Sequence, residues 1–125
     1  MADPARPNHG EPLPAGALRA VAGKASAKEG IDPLVHDKVR LSILSALAVE
    51  DRVPFVTLKE ILGASDGNLS VHARKLEDGK LIRLRKSGSG ATSRTEYSIT
   101  ARGRRALEAY LRHLEEVIAA VRRAQ

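Results

Sequence analysis

Two clusters of side chains in this 125-residue chain are suited to gripping a polyanion. The first lies in Ser65-Asp-Gly-Asn-Leu-Ser-Val-His-Ala-Arg-Lys75, where Leu69, Ala73 and Leu76 recur at helical spacing. If those three face inward, Gly67, Asn68, Ser70, Val71, Arg74 and Lys75 face outward. Asn pairs bidentately with adenine and Arg with guanine, and an apolar group such as Val71 touches a thymine methyl. Ser65-Asp-Gly67 would supply the N-cap, and Gly67 allows close backbone approach where free amides favour a phosphate. For Asn68 a local capping role stands beside base contact. The second cluster is Arg83, Arg85, Lys86 and Arg94, with Ser87, Ser89, Thr92 and Ser93 between them. Residues 79–105 hold eight Lys or Arg against one acid, so this stretch alone carries +7 where the whole chain carries +6. Such cations set affinity through backbone phosphates, while base-edge contacts set sequence choice. Lys59, Arg102, Arg104 and Arg105 are secondary candidates.

Other chemistry lacks its geometry. Asp66, Ser70 and His72 are triad types, but Ser70 and His72 lie two positions apart on one helix and do not face each other. Glu77 and Asp78 diverge for the same reason, so they are no acid–base pair. Ser87-Gly-Ser-Gly90 lacks the trailing Lys-Ser/Thr of a phosphate loop and joins strand to strand. The chain has no cysteine, and His9, His36, His72 and His113 form no i, i+4 pair, so neither a metal nor a cofactor is expected. His72 is expected half-buried beneath its helix and His113 on a dimer surface. Phe55, Tyr97 and Tyr110 are the only aromatics, too few for stacking on single-stranded RNA. The residues predict a binding protein and no enzyme.

The elements that would hold these groups follow from periodicity. Residues 1–15, with Pro4, Pro7, Pro12 and Pro14, predict a disordered tail, and alanine-rich residues 16–32 permit a short helix and linker. From Val35 to Val49, Val35, Val39, Ile43, Leu44 and Leu47 make one helical face. Pro54 ends it, and Phe55-Val56 suits a short strand. Thr57-Leu-Lys-Glu60 has the form of a capping box, predicting a helix from Leu58 that Gly63 closes. A third helix over 65–78 follows after about three residues, the helix-turn-helix spacing. Leu81 to Lys86 and Thr95 to Ile99 alternate as strands, giving a hairpin with a flexible tip. After Thr100 as N-cap, Leu107, Tyr110, Leu111, Leu114, Val117, Ile118 and Val121 keep helical spacing to about Arg123. That helix would run about 33 Å, further than a domain of residues 33–100 covers, so residues 101–125 are expected to dimerise the chain. The fold class is mainly α with a little β: a winged helix-turn-helix with a small antiparallel hairpin wing and a long C-terminal dimerisation helix. No run approaches the about 18 apolar residues of a membrane span, and the N-terminus has no signal-peptide pattern, so a cytoplasmic protein is expected.

Four segments carry a family likeness: Arg40-Leu-Ser-Ile-Leu-Ser-Ala-Leu47, Gly67-Asn-Leu-Ser-Val-His72, Lys75-Leu-Glu-Asp-Gly-Lys-Leu-Ile82 and Thr95-Glu-Tyr-Ser-Ile-Thr-Ala-Arg-Gly103. Over roughly residues 33–118 the chain resembles the short bacterial winged-helix regulators related to the MarR and ArsR families. The metal thiolates of ArsR proteins are missing, and the fold portion is shorter than in a MarR protein. The resemblance implies a homodimeric, sequence-specific regulator of transcription that binds double-stranded DNA, most simply a repressor acting by occlusion. A two-fold dimer would meet a palindromic operator in successive major grooves about 34 Å apart. A small-molecule effector between the long helix and the DNA-binding core is compatible with this, its identity unknown. The alternative is a winged-helix protein–protein interaction module without DNA binding, because a fold does not fix its function.

Overall fold

The computed structural model describes residues 32–125, and the expectations for residues 1–31 lie outside them. A turn over residues 32–37 leads into helix α1 (Lys38–Val49), whose N-cap Asp37 accepts from the amides of Val39 and Arg40, both at 3.0 Å. The helix thus starts at Lys38 and not at Val35, which is buried but sits in the turn. Asp32 closes that turn by accepting from the Val35 and His36 amides.

Strand β1 is Val53–Pro54 and helix α2 is Phe55–Leu62, so the expected strand at Phe55-Val56 and capping box at Thr57 are both displaced. Val53 and Pro54 pair with Tyr97 and Glu96, which places the extended stretch two residues earlier than expected. The Pro54 ring fixes φ at −62° and needs no amide partner, so the chain passes from strand to helix within one residue. Gly63, at φ 63°, closes α2 in the left-handed conformation. Helix α3 (Asp66–Asp78) follows, with Ser65 as N-cap accepting from the Asn68 amide at 3.2 Å.

Strands β2 (Ile82–Ser87) and β3 (Arg94–Ile99) pair antiparallel, with β3 central in the order β1-β3-β2. The hairpin is therefore part of a three-stranded sheet. Its tip has local order: Gly90–Thr92 is a 3-10 turn in which the Thr92 hydroxyl donates to the Ser89 carbonyl at 2.8 Å. Helix α4 (Ala101–Ala124) starts at Thr100, whose hydroxyl accepts from the Gly103 amide at 3.0 Å.

One core joins these elements. Ile43, Leu44 and Leu47 of α1 meet Leu58 of α2, Leu69, Ala73 and Leu76 of α3, Ile82 and Tyr97 of the sheet, and Leu107 and Tyr110 of α4. The core thus runs across residue 100. Burial, with Glu77 nearby, pushes the Tyr97 hydroxyl above its ordinary titration range. Gly103 sets how closely α4 approaches: a Cβ there would overlap the Leu81 carbonyl oxygen, which already accepts from the Thr100 amide and hydroxyl, both at 3.0 Å. Alanine is the better helix former by about 1 kcal/mol. Gly103→Ala is nevertheless expected to lose about 1–3 kcal/mol net, because the overlap cannot relax without moving α4 from β2. A lower urea midpoint checks this, and a raised midpoint would contradict the close approach.

Candidate nucleic-acid interface

The Leu69–Ala73–Leu76 stripe of α3 is buried, and every residue expected on its outer face is exposed: Ser65, Gly67, Asn68, Ser70, Val71, Arg74 and Lys75. Val71 keeps 54% of its surface and so presents an apolar group on this face. The Ser65 hydroxyl is engaged in capping, so it has one lone pair left for a ligand. At the turn between α2 and α3, Lys59 pairs with Asp66 at 2.7 Å. This surface contact is worth at most about 1 kcal/mol. Its other effect is to cancel a carboxylate at the helix start, where an anionic backbone would approach.

On its inner edge α3 is tied to the start of α1. Arg40 donates through Nε to the Leu34 carbonyl at 2.7 Å and through Nη2 to the Pro33 carbonyl at 3.1 Å. Its Nη1 meets Nδ1 of His72 at 3.0 Å, and the Asp37 carboxylate lies 3.6 Å from the same nitrogen. His72 is half-buried, as its position on the helix predicted; the clasp around it was not anticipated, because Asp37, Arg40 and His72 share no sequence pattern. The Arg40 amide hydrogen bond chiefly, then the Arg40 guanidinium, His72 and the Val39 amide, hold the Asp37 carboxyl below its usual range against the opposing effect of burial. A depressed folded value means stability that is present above the unfolded value near 4 and lost as pH falls through the folded one. Asp37→Ala should therefore cost about 1 kcal/mol at pH 6. The gap between variant and wild-type urea midpoints should narrow below about pH 4; a constant gap would contradict the role of the charge.

The cations of the hairpin fall into two groups. Arg83 and Arg85 project from the outer face of β2, opposite Ser98 and Glu96 of β3. There they line a small hollow with Arg52, a residue that sequence reasoning passed over although its alternation with buried Val53 was the available signal. Lys86 lies opposite Thr95 near the wing tip, and Arg94 opens β3. Arg94 lines a groove with Thr57 of α2 and Thr92 and Ser93 of the wing. Ser89 is exposed at the tip, its backbone engaged in the 3-10 turn. Of the secondary cations, Lys59 is paired as described, and Arg104 reaches the Ala48 carbonyl at 3.4 Å and so links α4 to the end of α1.

The stripe of α4 expected to dimerise is divided. Leu107 and Tyr110 are 5% exposed and packed into the chain's own core, where the Tyr110 hydroxyl meets His36 Nδ1 at 2.7 Å. These two therefore have almost no surface to offer a partner, which corrects the expectation that they lie on a dimer face. Leu114 is partly buried against the same core and Val117 is intermediate. Leu111, Ile118 and Val121 remain 42%, 48% and 38% exposed. His113, expected on that surface, is buried, and among the described residues its Nδ1 has no hydrogen-bond partner. A hollow of about 780 Å³ lies among Val39, Ser42, Ile61, Leu62 and Asn68, at the α1–α2–α3 junction and away from the junction with α4 where an effector was expected. Among the described residues, no three His, Asp or Glu side chains are grouped to hold a metal ion, and no helix is long and apolar enough to cross a membrane.

Two helices joined by a three-residue turn, followed by a hairpin wing, define a winged helix-turn-helix. The family model of the winged helix DNA-binding domain matches residues 39–118, and the chain belongs to that family. It is 37% identical over 78 residues to an uncharacterized protein of Methanocaldococcus jannaschii, a match covering 62% of this chain and 85% of that one. Among solved structures it is similar to the transcriptional regulator homologue protein from Pyrococcus horikoshii OT3, with a TM-score of 0.68 and 25% identity over 85% of this chain and 97% of that one. The fold is also that of MarR, with a TM-score of 0.65 and 17% identity over 86% and 74% of the two chains. The protein is a DNA-binding transcription regulator of the winged-helix class, and regulators of this class are not enzymes.

Proposed function

We propose that the chain is a homodimeric repressor that reads a palindromic operator, with α3 in the major groove and the wing on the sugar–phosphate backbone or minor groove. The observation that carries this is the outer face of α3. Asn68, Ser70, Val71, Arg74 and Lys75 offer both hydrogen-bonding and apolar groups, and among the described residues none of them belongs to the core. Asn68, Arg74 and Val71 read bases; Gly67 and Ser65 leave the helix start open to a phosphate. Arg83, Arg85, Lys86 and Arg94, with the Ser89 hydroxyl, hold the backbone and give affinity. Leu111, Leu114, Val117, Ile118 and Val121 join two copies along α4, which is about 36 Å long at 1.5 Å per residue. Repression follows by occlusion of the promoter, and the interaction-module alternative has no comparable observation in its favour.

Fluorescence anisotropy of a labelled duplex with the full chain, repeated as salt is raised, tests the reading. Affinity should fall linearly on log–log axes with a slope near −0.9 for each phosphate neutralised. Absence of duplex binding at 50 mM salt, by a chain that sediments as a monomer, would overturn it in favour of the interaction module.

A further inference from the structure

The outer face of the sheet holds a second arrangement, separate from α3. Val53 pairs with Tyr97, so the antiparallel register continued by one residue sets Arg52 level with Ser98. Arg83 pairs with Ser98 from the other side. The central strand thus presents a serine between two arginines, whose backbones lie about 10 Å apart across β3. One row along, Arg85 stands opposite Glu96. Val53 and Tyr97 are buried, so strand alternation turns Arg52, Ser98 and Glu96 to the opposite, outer face. Arg52, Arg83, Arg85, Glu96 and Ser98 together line a hollow of about 90 Å³.

The described residues do not neutralise the charges in this hollow. Among the described residues, none of the three guanidiniums has a carboxylate within 4.0 Å, and the Ser98 hydroxyl makes no hydrogen bond. Three positive charges face one negative. The short serine side chain leaves space between the flanking arginines, with a hydroxyl at the floor. Planar guanidinium forks match the paired oxygens of a phosphate, and hydrogen bonds between charged partners are about twice as strong as neutral ones. A hollow of this size takes one tetrahedral oxyanion or a few waters, each water occupying about 30 Å³ in the liquid.

We propose that this face binds a phosphate group between Arg52 and Arg83, over the Ser98 hydroxyl, with Arg85 offsetting Glu96. The same chemistry has two sources: a backbone phosphate of bound duplex, or a free phosphate-bearing small molecule. In the first case the site refines the backbone role proposed above for Arg83 and Arg85 and rests on that reading; in the second it stands apart from it.

Amide spectra of the full chain, recorded with inorganic phosphate, with chloride at equal ionic strength and with duplex DNA, test the proposal. The Ser98 amide should shift saturably with phosphate or with duplex, and not with chloride. Arg52→Gln and Arg83→Gln should each weaken that response at least tenfold, with unchanged unfolding midpoints, whereas Arg112→Gln on exposed α4 should leave it intact. A response to phosphate alone assigns the site to a small molecule. A response to duplex alone assigns it to the DNA backbone, and Arg52→Gln then flattens the salt slope by about 0.9. A phosphate response without any duplex binding supports the site and overturns the proposed function. No shift with either ligand, an equal shift with chloride, or an equal loss in Arg112→Gln overturns the site.

Discussion

Leu111→Glu combined with Ile118→Glu is expected to convert the protein from dimer to monomer and to weaken its hold on a two-half-site duplex by about 10²–10⁴-fold. Both side chains are well exposed in the single chain, so the substitution leaves the core that holds α3 untouched. In a two-fold interface residue i of one copy meets residue j of the other and j meets i, so glutamates at both positions bring like charges together where apolar surface was to be buried. The loss on DNA follows from linkage: the second half-site is bound at an effective concentration set by the tether, and that advantage disappears when the copies separate. Binding to a single half-site should be nearly unchanged. Sedimentation gives the state of association and anisotropy the two affinities. A variant that stays dimeric would move the interface off the distal half of α4, and a monomer that binds the palindrome as tightly as wild type would remove the need for one.

Arg74→Ala should cost about 1–3 kcal/mol, or about 5–150-fold, on the preferred sequence and little on random duplex, because a bidentate contact to one base carries the difference. Arg94→Ala should behave otherwise: it weakens binding to both duplexes alike and reduces the salt slope by about 0.9. The contrast between the two variants is the informative quantity, since any loss of positive charge weakens binding to a polyanion. Equal losses for both variants on both duplexes would leave α3 without a reading role.

Much of this was legible in the sequence because burial imposes periodicity. The α3 stripe of Leu69, Ala73 and Leu76, the Ser65 and Thr100 caps and the alternation through β2 and β3 all lie where spacing put them. Local cap chemistry misled at Thr57, where pairing of Val53 with Tyr97 and the fixed φ of Pro54 start α2 earlier than the Thr-x-x-Glu pattern suggests. The α4 stripe read as one surface because periodicity says which side chains share a face and nothing about what covers it. Tyr110 meets His36 from the turn ahead of α1, a contact 74 residues apart in the chain. The clasp of Arg40 and Asp37 on His72 and the placing of Arg52 and Arg83 on either side of Ser98 were illegible for the same reason: each depends on how separate elements pack.

Whether the outer face of α3 reads DNA sequence is decided by selecting bound molecules from random duplex DNA with the full chain and footprinting the winners. The expected result is enrichment of an inverted repeat whose half-sites are centred about 10–10.5 base pairs, or a multiple, apart, with protection in the major groove of each. Arg74→Ala should relax the preference at one base pair per half-site. Retention of DNA with no enriched sequence, or the same enriched sequence from wild type and Arg74→Ala alike, would contradict sequence reading by α3.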